Sequence, residues 1–387
     1  MKITVNNTGI NVQQHGRGEL ALVFLHYYGG SSRTWQSVIS QLPDHYRTVA
    51  IDHRGWGLSD APKSGYRIAD LASDAEGVIA ALKLKRYILI GHSMGGKVAQ
   101  LMASRRPQGL EGLMLIAPSP PSPMMLSKED RDRLTSAYSS RESVEFVIDN
   151  VLTSRPLSPA LREQVIEDSL SAGTEAKAAW PDIAMREDIT SAVASINVPV
   201  RVISGELDRV DTPETLQREL LPRIPHAAMM IVHGTGHLSP LESPQEIAGY
   251  ISNFAASVER SDTVHRSPAE TIAAFDEAFN AGNIDALMSV FSNRASMRMP
   301  SNVVIETDPY ALRMAFTTLI ASRPIIRNQI HTLIPSGDLI LAIIKWSLTT
   351  TLEDGTQRDD CGVATQVMEQ GADKGWRIRI SNPTGIN

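Results

Sequence analysis

Residues 91–95 (GHSMG) could make Ser93 a nucleophile. A reactive serine on a sharp strand-to-helix turn needs small residues two positions before and after it, because a Cβ there would collide with the adjacent strand or helix. Glycine occupies both positions. The apolar run 87–90 before the motif is typical of a strand, and the run 96–104 after it is typical of a helix. This placement argues against a chance motif in a loop and predicts that the Ser93 hydroxyl stands above a sheet, at the positive end of a helix dipole.

A serine hydroxyl needs a base to accept its proton, and that base needs a carboxylate to hold its tautomer. On the chain, the acid and then the histidine are expected after Ser93, each just past a later strand. Asp208 follows the apolar run 200–204, and His237 follows the run 228–232. We therefore expect Ser93, Asp208 and His237 to form a catalytic triad.

Three neighbouring residues compete for the roles of acid and base. Asp208 could instead be a loop or helix-capping carboxylate, and Glu206 or Asp211 could replace it as the acid. His233 competes with His237 for the role of base. We favour His237 because it follows Gly-x-Gly on a loop, whereas His233 abuts the strand, where a histidine is more often packed or capping.

Two backbone N–H groups must face the oxyanion that forms during attack on a carbonyl. Met94 directly follows the nucleophile and supplies one of them. The other is expected from the turn HYYGG, which follows the apolar run 20–25. We expect Tyr28 to be this donor, with Tyr27 as the alternative; both rings could also be apolar lining near the top of the sheet.

Other residues could contact the substrate. Tyr27 and Trp180 are candidates for the lining of an acyl pocket, although Trp180 fits equally well in the core of a helical region. Residues 52–59 (DHRGWGLS) also follow a strand-like run. Arg54 or Trp56 could contact a ligand there, but we favour a tight turn that the glycines and charges hold near the site.

The strands that carry these residues are predicted from short, continuous apolar runs with helix-like stretches between them. Continuous apolar runs are typical of strands that helices cover on both faces. The front part of the chain is therefore predicted to be an α/β, doubly wound, mostly parallel sheet. The interval 118–196 breaks this rhythm with helical patterns, such as Ser158 as an N-cap before Pro159. We expect this interval to form a helical cap over the strand ends.

Composition excludes several classes of protein. The length of 387 residues predicts about two domains. The single cysteine, Cys361, excludes an internal disulfide, and no Cys/His cluster has the spacing of a zinc site. A net charge of -6 without a long Lys/Arg block argues against a nucleic-acid partner. No stretch reaches the roughly 20 apolar residues of a transmembrane helix, and residues 1–9 hold no apolar signal-peptide core. We predict a cytoplasmic protein without a membrane partner.

The polar run 259–266 predicts a linker between a front domain at 1–258 and a back domain at 267–387. The back domain starts with helix-like segments at 268–280 and 284–291. Strand-like runs, which we expect to be antiparallel, and one further helix near 309–321 follow them. Helices followed by a run of strands predict an α+β unit.

The front domain resembles the serine-nucleophile branch of the α/β-hydrolase superfamily. The resemblance is carried by HYYGGS at 26–31, DHRGWGLS at 52–59, GHSMGG at 91–96, GELD at 205–208 and GTGH at 234–237. It implies the triad described above, Tyr28 and Met94 as oxyanion donors, and no metal or organic cofactor. One departure is Tyr27, where the family usually has glycine; this bulky residue could alter the turn and narrow the acyl pocket.

Within this superfamily, Ser93 argues against haloalkane dehalogenases and epoxide hydrolases, which share the Arg-Gly-x-Gly turn but have an aspartate at the nucleophile position. We expect a serine hydrolase that cleaves a small or medium carboxylic ester or lactone through an acyl-enzyme. The alternatives are a carbon–carbon bond hydrolase or a cofactor-free, haloperoxidase-like perhydrolase. A small-molecule-binding module whose hydrolase site does not turn over is the alternative from another class.

The back domain resembles the cone-shaped fold of ketosteroid isomerases, nuclear transport factor and SnoaL-like polyketide cyclases. The resemblance rests on the helical segments 271–280, 282–291 and 308–321 and on the strand that contains GWRI at 375–378. No carboxylate base facing oxyanion donors is evident, because Asp285, Asp308 and Asp338 fall where helix starts and turns usually place an aspartate. The resemblance therefore implies binding or assembly, with a homodimer as the expected state.

Overall fold

The computed structural model describes residues 1–260, 267–299, 302–307, 309–352, 356–371 and 374–385. The chain divides into two compact units, Met1–Ala255 and Ala256–Asn387, which we call the front unit and the back unit. Of the predicted linker at 259–266, residues 261–266 lie outside the described residues.

The front unit contains an eight-stranded sheet in the order β1-β2-β4-β3-β5-β6-β7-β8. Its strands are β1 (Lys2–Val5), β2 (Thr8–His15), β3 (Leu20–Leu25), β4 (Arg47–Ile51), β5 (Arg86–His92), β6 (Leu110–Ile116), β7 (Val200–Gly205) and β8 (Ala228–Val232). The six strands β3 to β8 lie next to one another in the sheet, and each adjacent pair among them is parallel. Strand β2 pairs antiparallel with both β1 and β4. The prediction of a mostly parallel α/β sheet is confirmed.

The two strands that the sequence did not reveal form the antiparallel edge of this sheet. In β1 the residues alternate between exposed and half-buried, so its sequence KITV contains no continuous apolar run. Strand β2 is TGINVQQH and ends in polar residues. A search for continuous apolar runs finds strands that are covered on both faces and misses strands at a partly exposed edge.

The helices of the front unit include the stretch that follows the nucleophile and those that lie between β6 and β7. The helices are α1 (Gln36–Ile39), α2 (Ile68–Ala81), α3 (Met94–Ser104), α4 (Lys128–Ser136), α5 (Arg141–Val147), α6 (Pro159–Ser171), α7 (Thr174–Asp182), α8 (Thr190–Val193), α9 (Pro213–Glu219), α10 (Ser239–Glu242) and α11 (Pro244–Arg260), whose last residues lie past the unit boundary at Ala255. The chain between β6 and β7 contains α4 to α8, and we call it the cap segment. At the start of α6, Ser158 Oγ accepts a hydrogen bond from the Leu161 N–H, and Pro159 is the first helical residue, as predicted.

The back unit contains a six-stranded sheet in the order β10-β9-β14-β13-β12-β11. Its elements are α12 (Pro268–Asn280), α13 (Ile284–Ser289), β9 (Phe291–Arg298), β10 (Val304–Ile305), α14 (Pro309–Ile320), β11 (Ile325–Ser336), β12 (Leu339–Thr351), β13 (Gln357–Gln370) and β14 (Trp376–Asn382). Phenylalanine rings from helices and sheet form its core: Phe275 contacts Phe279, Phe291 and Phe316 at centroid distances of 5.9 to 6.0 Å.

Two predictions for the back unit are corrected. The helix predicted over 284–291 ends at Ser289, because Phe291 begins β9 and pairs with Ile378 of β14. The pairing of β9 with β14 is parallel, so the sheet is not wholly antiparallel. Asp338 lies in the turn between β11 and β12, as predicted, whereas Asp308 lies outside the described residues.

Candidate active site

Ser93 lies between the end of β5 and the start of α3, with φ 52° and ψ -114°. Few residues other than glycine adopt such a positive φ, and strained backbone of this kind clusters at functional sites. The carbonyl of Ser93 accepts hydrogen bonds from the N–H groups of Gly96 at 2.8 Å, Lys97 at 3.1 Å and Ser119 at 3.1 Å. These three bonds hold the turn in its strained conformation.

The glycines on either side of Ser93 are required by close backbone contacts. A Cβ on Gly91 would collide with the carbonyl oxygen of Gly95. A Cβ on Gly95 would lie 2.5 Å from the carbonyl oxygen of Leu25 and 2.6 Å from that of His26. Both atoms belong to rigid backbone at the end of β3, so neither can move aside at low cost.

Replacing Gly95 with alanine is therefore expected to destabilise the front unit by several kcal/mol or to prevent folding, because overpacking against backbone is costly. Gly249 of α11 offers the matched control, since nothing lies within 4 Å of a Cβ built there. Gly249→Ala is expected to raise the stability by about 0.5–1 kcal/mol. Thermal unfolding of the two variants and the parent checks this contrast. A Gly95→Ala protein as stable as the parent would contradict the close packing described here.

Asp208 and His237 form a buried hydrogen-bonded pair. Asp208 Oδ2 lies 2.9 Å from His237 Nδ1, and both side chains are almost completely inaccessible to solvent. Asp208 Oδ1 accepts the N–H groups of Val210 at 2.8 Å and Asp211 at 3.1 Å, so the carboxylate is held by its own loop. Burial opposes the charged imidazolium, but the surrounding carboxylates, above all Asp208 through its charge and hydrogen bond, outweigh it and raise the pKa of His237.

The backbone of His237 lies beside the turn that carries Ser93. His92, the residue before Ser93, has its Nε2 2.8 Å from the carbonyl oxygen of His237, and the two imidazole rings are 5.3 Å apart. Burial lowers the pKa of His92 well below its ordinary value, and the nearby charge of His237 lowers it further. A neutral His92 therefore donates its N–H to His237 and fixes the loop of the base against the nucleophile turn.

The competing residues pair with other groups. His233 Nδ1 and Glu206 Oε1 are 3.4 Å apart, and the side chains are 85% and 46% exposed. Glu206 also accepts the N–H of Gly234 at 2.8 Å, so this pair belongs to a surface turn. Asp211 is buried and accepts a hydrogen bond from the Ser119 hydroxyl, whereas Asp208 is the acid that bonds to His237.

The turn that contains Tyr28 is fixed by residues of the cap segment. The Tyr138 hydroxyl donates a hydrogen bond to the Tyr28 carbonyl at 3.0 Å, and the Tyr28 hydroxyl donates to the Lys177 carbonyl at 2.7 Å. Gly29 has φ +101°, and a Cβ there would lie 2.7 Å from the Tyr138 ring. Sequence reasoning missed Tyr138, which no local motif marks.

The two candidates for substrate lining lie in different surroundings. The Tyr27 ring is buried, lies 5.1 Å from the His92 ring and occupies the space where a Cβ on Gly30 would stand. It therefore fills the interior of the turn. Trp180 lines a cavity of about 10 Å³ together with Met94 and Trp56, which is room for about one water molecule.

Comparison with known proteins shows what this chain is similar to. Residues 21–144 match the family model of the alpha/beta hydrolase fold. The AB hydrolase superfamily protein YisY of Bacillus subtilis (strain 168) is 28% identical over 254 residues, which are 63% of this chain and 93% of YisY. The 2-(acetamidomethylene)succinate hydrolase of Mesorhizobium japonicum is 26% identical over 268 residues, 65% of this chain and 94% of that protein. A solved thermophilic esterase from Thermogutta terrifontis aligns with a TM-score of 0.57 and 25% identity, over 67% of this chain and 98% of the esterase. The chain is an α/β-fold hydrolase.

In this hydrolase, residues 52–59 form a turn of which residues 52–56 are buried. Arg54 donates to both carboxylate oxygens of Asp74, at 2.5 and 2.7 Å, so its guanidinium is committed to an internal ion pair. Asp52 accepts N–H groups from Ser32 and Leu58. The geometry agrees with the interpretation of this motif as a tight turn, while Trp56 alone among its residues lines the cavity beside Met94.

Within the described part of the hydrolase, no group of three or more His, Cys, Asp or Glu side chains is arranged to hold a metal ion. Among the same residues, no helix has the length and apolar character needed to span a membrane.

Proposed function

We propose that this hydrolase cleaves a small or medium carboxylic ester or lactone through an acyl-enzyme at Ser93. The observation that carries the proposal is the buried hydrogen bond between Asp208 and His237, on a loop that contacts the nucleophile turn through His92. A histidine held in this tautomer can accept the hydroxyl proton of a neighbouring serine.

The mechanism follows from these groups. His237 accepts the proton of Ser93 as the serine oxygen attacks the carbonyl carbon of the substrate. The N–H groups of Tyr28 and Met94 stabilise the oxyanion, and His237 then returns the proton to the leaving alcohol. Water activated by the same imidazole releases the acid. Asp208 stabilises the imidazolium in both steps. None of these steps calls for a metal ion or an organic cofactor.

The cavity beside Met94 marks the place where we expect the acyl group to bind. Its walls include Trp56, Trp180 and Tyr66, and its volume is only about 10 Å³. This is room for about one water molecule, so binding even a small acyl group requires the walls contributed by the cap segment to move. The apolar side chains around the cavity suit the alkyl part of an ester once it opens. The name of the esterase from Thermogutta terrifontis agrees with ester cleavage. A cytoplasmic location stays a prediction from the sequence.

A substrate panel with rapid-quench mass spectrometry tests the proposal. The panel contains p-nitrophenyl esters of increasing acyl length, a lactone and a ring-cleavage diketone. We expect the short esters to be cleaved with a transient mass increase equal to one acyl group. Faster turnover of the diketone than of any ester would favour carbon–carbon hydrolysis, and peroxide-dependent acyl transfer would favour a perhydrolase. A ligand that binds stoichiometrically and is released unchanged would favour the binding module.

For the back unit we propose a SnoaL-like domain that pairs two copies of the chain through its sheet. One face of the sheet is the buried core, with Ala342 and Ile344 of β12 both inaccessible. On the other face, Ile334, Leu341, Val367 and Ile380 form a row across four strands, because each is registered with the next. Three of the four are 37–49% exposed: Ile334, Leu341 and Ile380. A row of exposed apolar side chains on a sheet is typical of an interface.

Replacing Leu341 with lysine is expected to convert a dimer into a monomer in light scattering, because the new charge would have to be buried at the interface. Met314→Lys is the control, since Met314 is 48% exposed on α14, outside the row. We expect this control to remain dimeric. A parent chain that is monomeric at micromolar concentration would contradict the proposed pairing.

A further inference from the structure

Asp211 is a second carboxylate beside the proposed triad, three residues after Asp208. Its side chain is completely buried. Oδ2 accepts a hydrogen bond from the Ser119 hydroxyl at 3.3 Å, whereas Oδ1 has no hydrogen-bond partner among the described residues. An unpaired buried carboxylate oxygen costs stability, so packing alone leaves its presence unexplained.

Ser119 and Asp211 connect the nucleophile turn to the loop of the acid. The backbone N–H of Ser119 donates to the Ser93 carbonyl at 3.1 Å. The Ser119 carbonyl in turn accepts from Gln100 of α3 at 2.9 Å, which fixes its position. On the other side, the backbone N–H of Asp211 donates to Asp208 Oδ1 at 3.1 Å. A continuous set of hydrogen bonds therefore runs from the backbone of the nucleophile to the carboxylate of the acid.

Charged groups from several elements face Asp211. Burial raises the pKa of Asp211 to about 7, and the charge of Asp208 in the same loop adds to this rise. His237, which follows β8, and Lys97 of α3 oppose it. Lys97 is itself buried, and its ammonium donates to backbone carbonyls of the cap segment at 3.1 and 3.2 Å. In return, Asp211 raises the pKa of His237, as Asp208 and, more weakly, Glu242 also do.

We propose that Asp211 is a positioning residue of this active site: it holds the acid loop to the nucleophile turn through Ser119, and it places a second negative charge beside His237. This inference rests on the proposed function, because it gives Asp211 a role toward His237 as the catalytic base. Asp211 is not the triad acid, since Asp208 makes the hydrogen bond to His237.

The direction of the effect follows from the charge. A negative charge beside an imidazole favours its protonated form and raises its pKa. Because His237 must be neutral to accept the proton of Ser93, activity develops as the pH rises through that pKa. Removing the charge of Asp211 therefore lowers the pKa of His237 and extends activity to lower pH. Asp211 and His237 titrate together in the parent. The acidic limb of the parent's pH profile is therefore expected to be broader than that of a variant without the Asp211 charge.

Two variants separate the charge from the hydrogen bond. Asp211→Asn keeps the shape of the side chain and removes its charge. Ser119→Ala keeps the charge and removes the hydroxyl that stabilises the ionised form of Asp211. Asp60→Asn is the control, because it removes a carboxylate that pairs with Lys2 at the surface. Each protein is measured as the full chain, both by the pH profile of kcat/KM on an ester and by an NMR titration of the His237 imidazole.

We expect Asp211→Asn to lower the pKa of His237 by about 0.5 pH unit or more. The acidic limb of the pH profile of kcat/KM should move to lower pH by the same amount. Ser119→Ala is expected to shift them in the same direction by less and to lower kcat several-fold, because the turn and the acid loop are no longer tied. The control should match the parent. If Asp211→Asn does not fold, Ser119→Ala alone decides by the same readouts.

A merely structural Asp211 would change the melting temperature and leave the pKa of His237 in place in both variants, which would overturn the inference. Failure of the proposed function looks different. In that case the parent cleaves no ester and Ser93 takes up no activity probe, while the imidazole titration still reports whether Asp211 acts on His237.

Discussion

Replacing Ser93 with alanine is expected to lower kcat/KM by about 10⁴-fold or more on every ester that the parent cleaves. The reason is that alanine has no hydroxyl to attack the carbonyl, so no acyl-enzyme can form at this position. The fold should persist, because the three hydrogen bonds that hold the turn end on the Ser93 carbonyl and not on its hydroxyl. Steady-state kinetics and a thermal melt measure both effects.

Ser73→Ala is the matched control for this loss. The Ser73 hydroxyl donates to the Ala69 carbonyl on the exposed side of α2, so its removal should leave kcat/KM within about twofold of the parent. Near-parental turnover by Ser93→Ala would show that the nucleophile lies elsewhere, and the assignment of the whole site would then fail.

Replacing Asp208 with asparagine is expected to lower kcat by about 10³–10⁴-fold, with a much smaller change in KM. The asparagine keeps the size of the side chain but removes the negative charge that raises the pKa of His237 and stabilises its imidazolium form. An amide nitrogen facing Nδ1 would also favour the wrong tautomer of the imidazole. Kinetics at several pH values measure the loss, which we expect to persist across the whole range.

Glu206→Gln is the control, because Glu206 is another acid in the same loop and pairs with the exposed His233. A surface pair of this kind contributes little, so activity should remain within about twofold of the parent. The reverse outcome, a severe loss for Glu206→Gln and a mild one for Asp208→Asn, would exchange the roles of the two carboxylates.

The sequence reveals the strands that carry the site because each contains a continuous apolar run, although β8 lies at the sheet edge and is only partly buried. LALVFL at Leu20–Leu25 is buried at every position, and such a run stands out from its surroundings. The turns at the ends of these strands then bring residues distant in the chain to one edge of the sheet. This is why spacing alone could nominate Asp208 and His237, which lie 29 residues apart in the sequence.

The contacts that support the turn could not be predicted in this way. Tyr138 reaches Tyr28 across 110 positions of sequence, and Ser119 reaches Asp211 across 92. Neither contact belongs to a local motif, because the helices of the cap segment decide where Tyr138 lies. The parallel pairing of β9 with β14 in the back unit is similarly non-local. Periodicity predicts the presence of a strand but not its neighbour or its direction.

Intact-mass analysis after treatment with a fluorophosphonate probe tests the central claim most directly. The probe reacts with a serine that a neighbouring base has activated, and it needs no knowledge of the substrate. We predict a single adduct on the parent and on Ser73→Ala, and none on Ser93→Ala. A folded parent that takes up no probe, or an adduct that persists in Ser93→Ala, would contradict the assignment of Ser93 as the nucleophile.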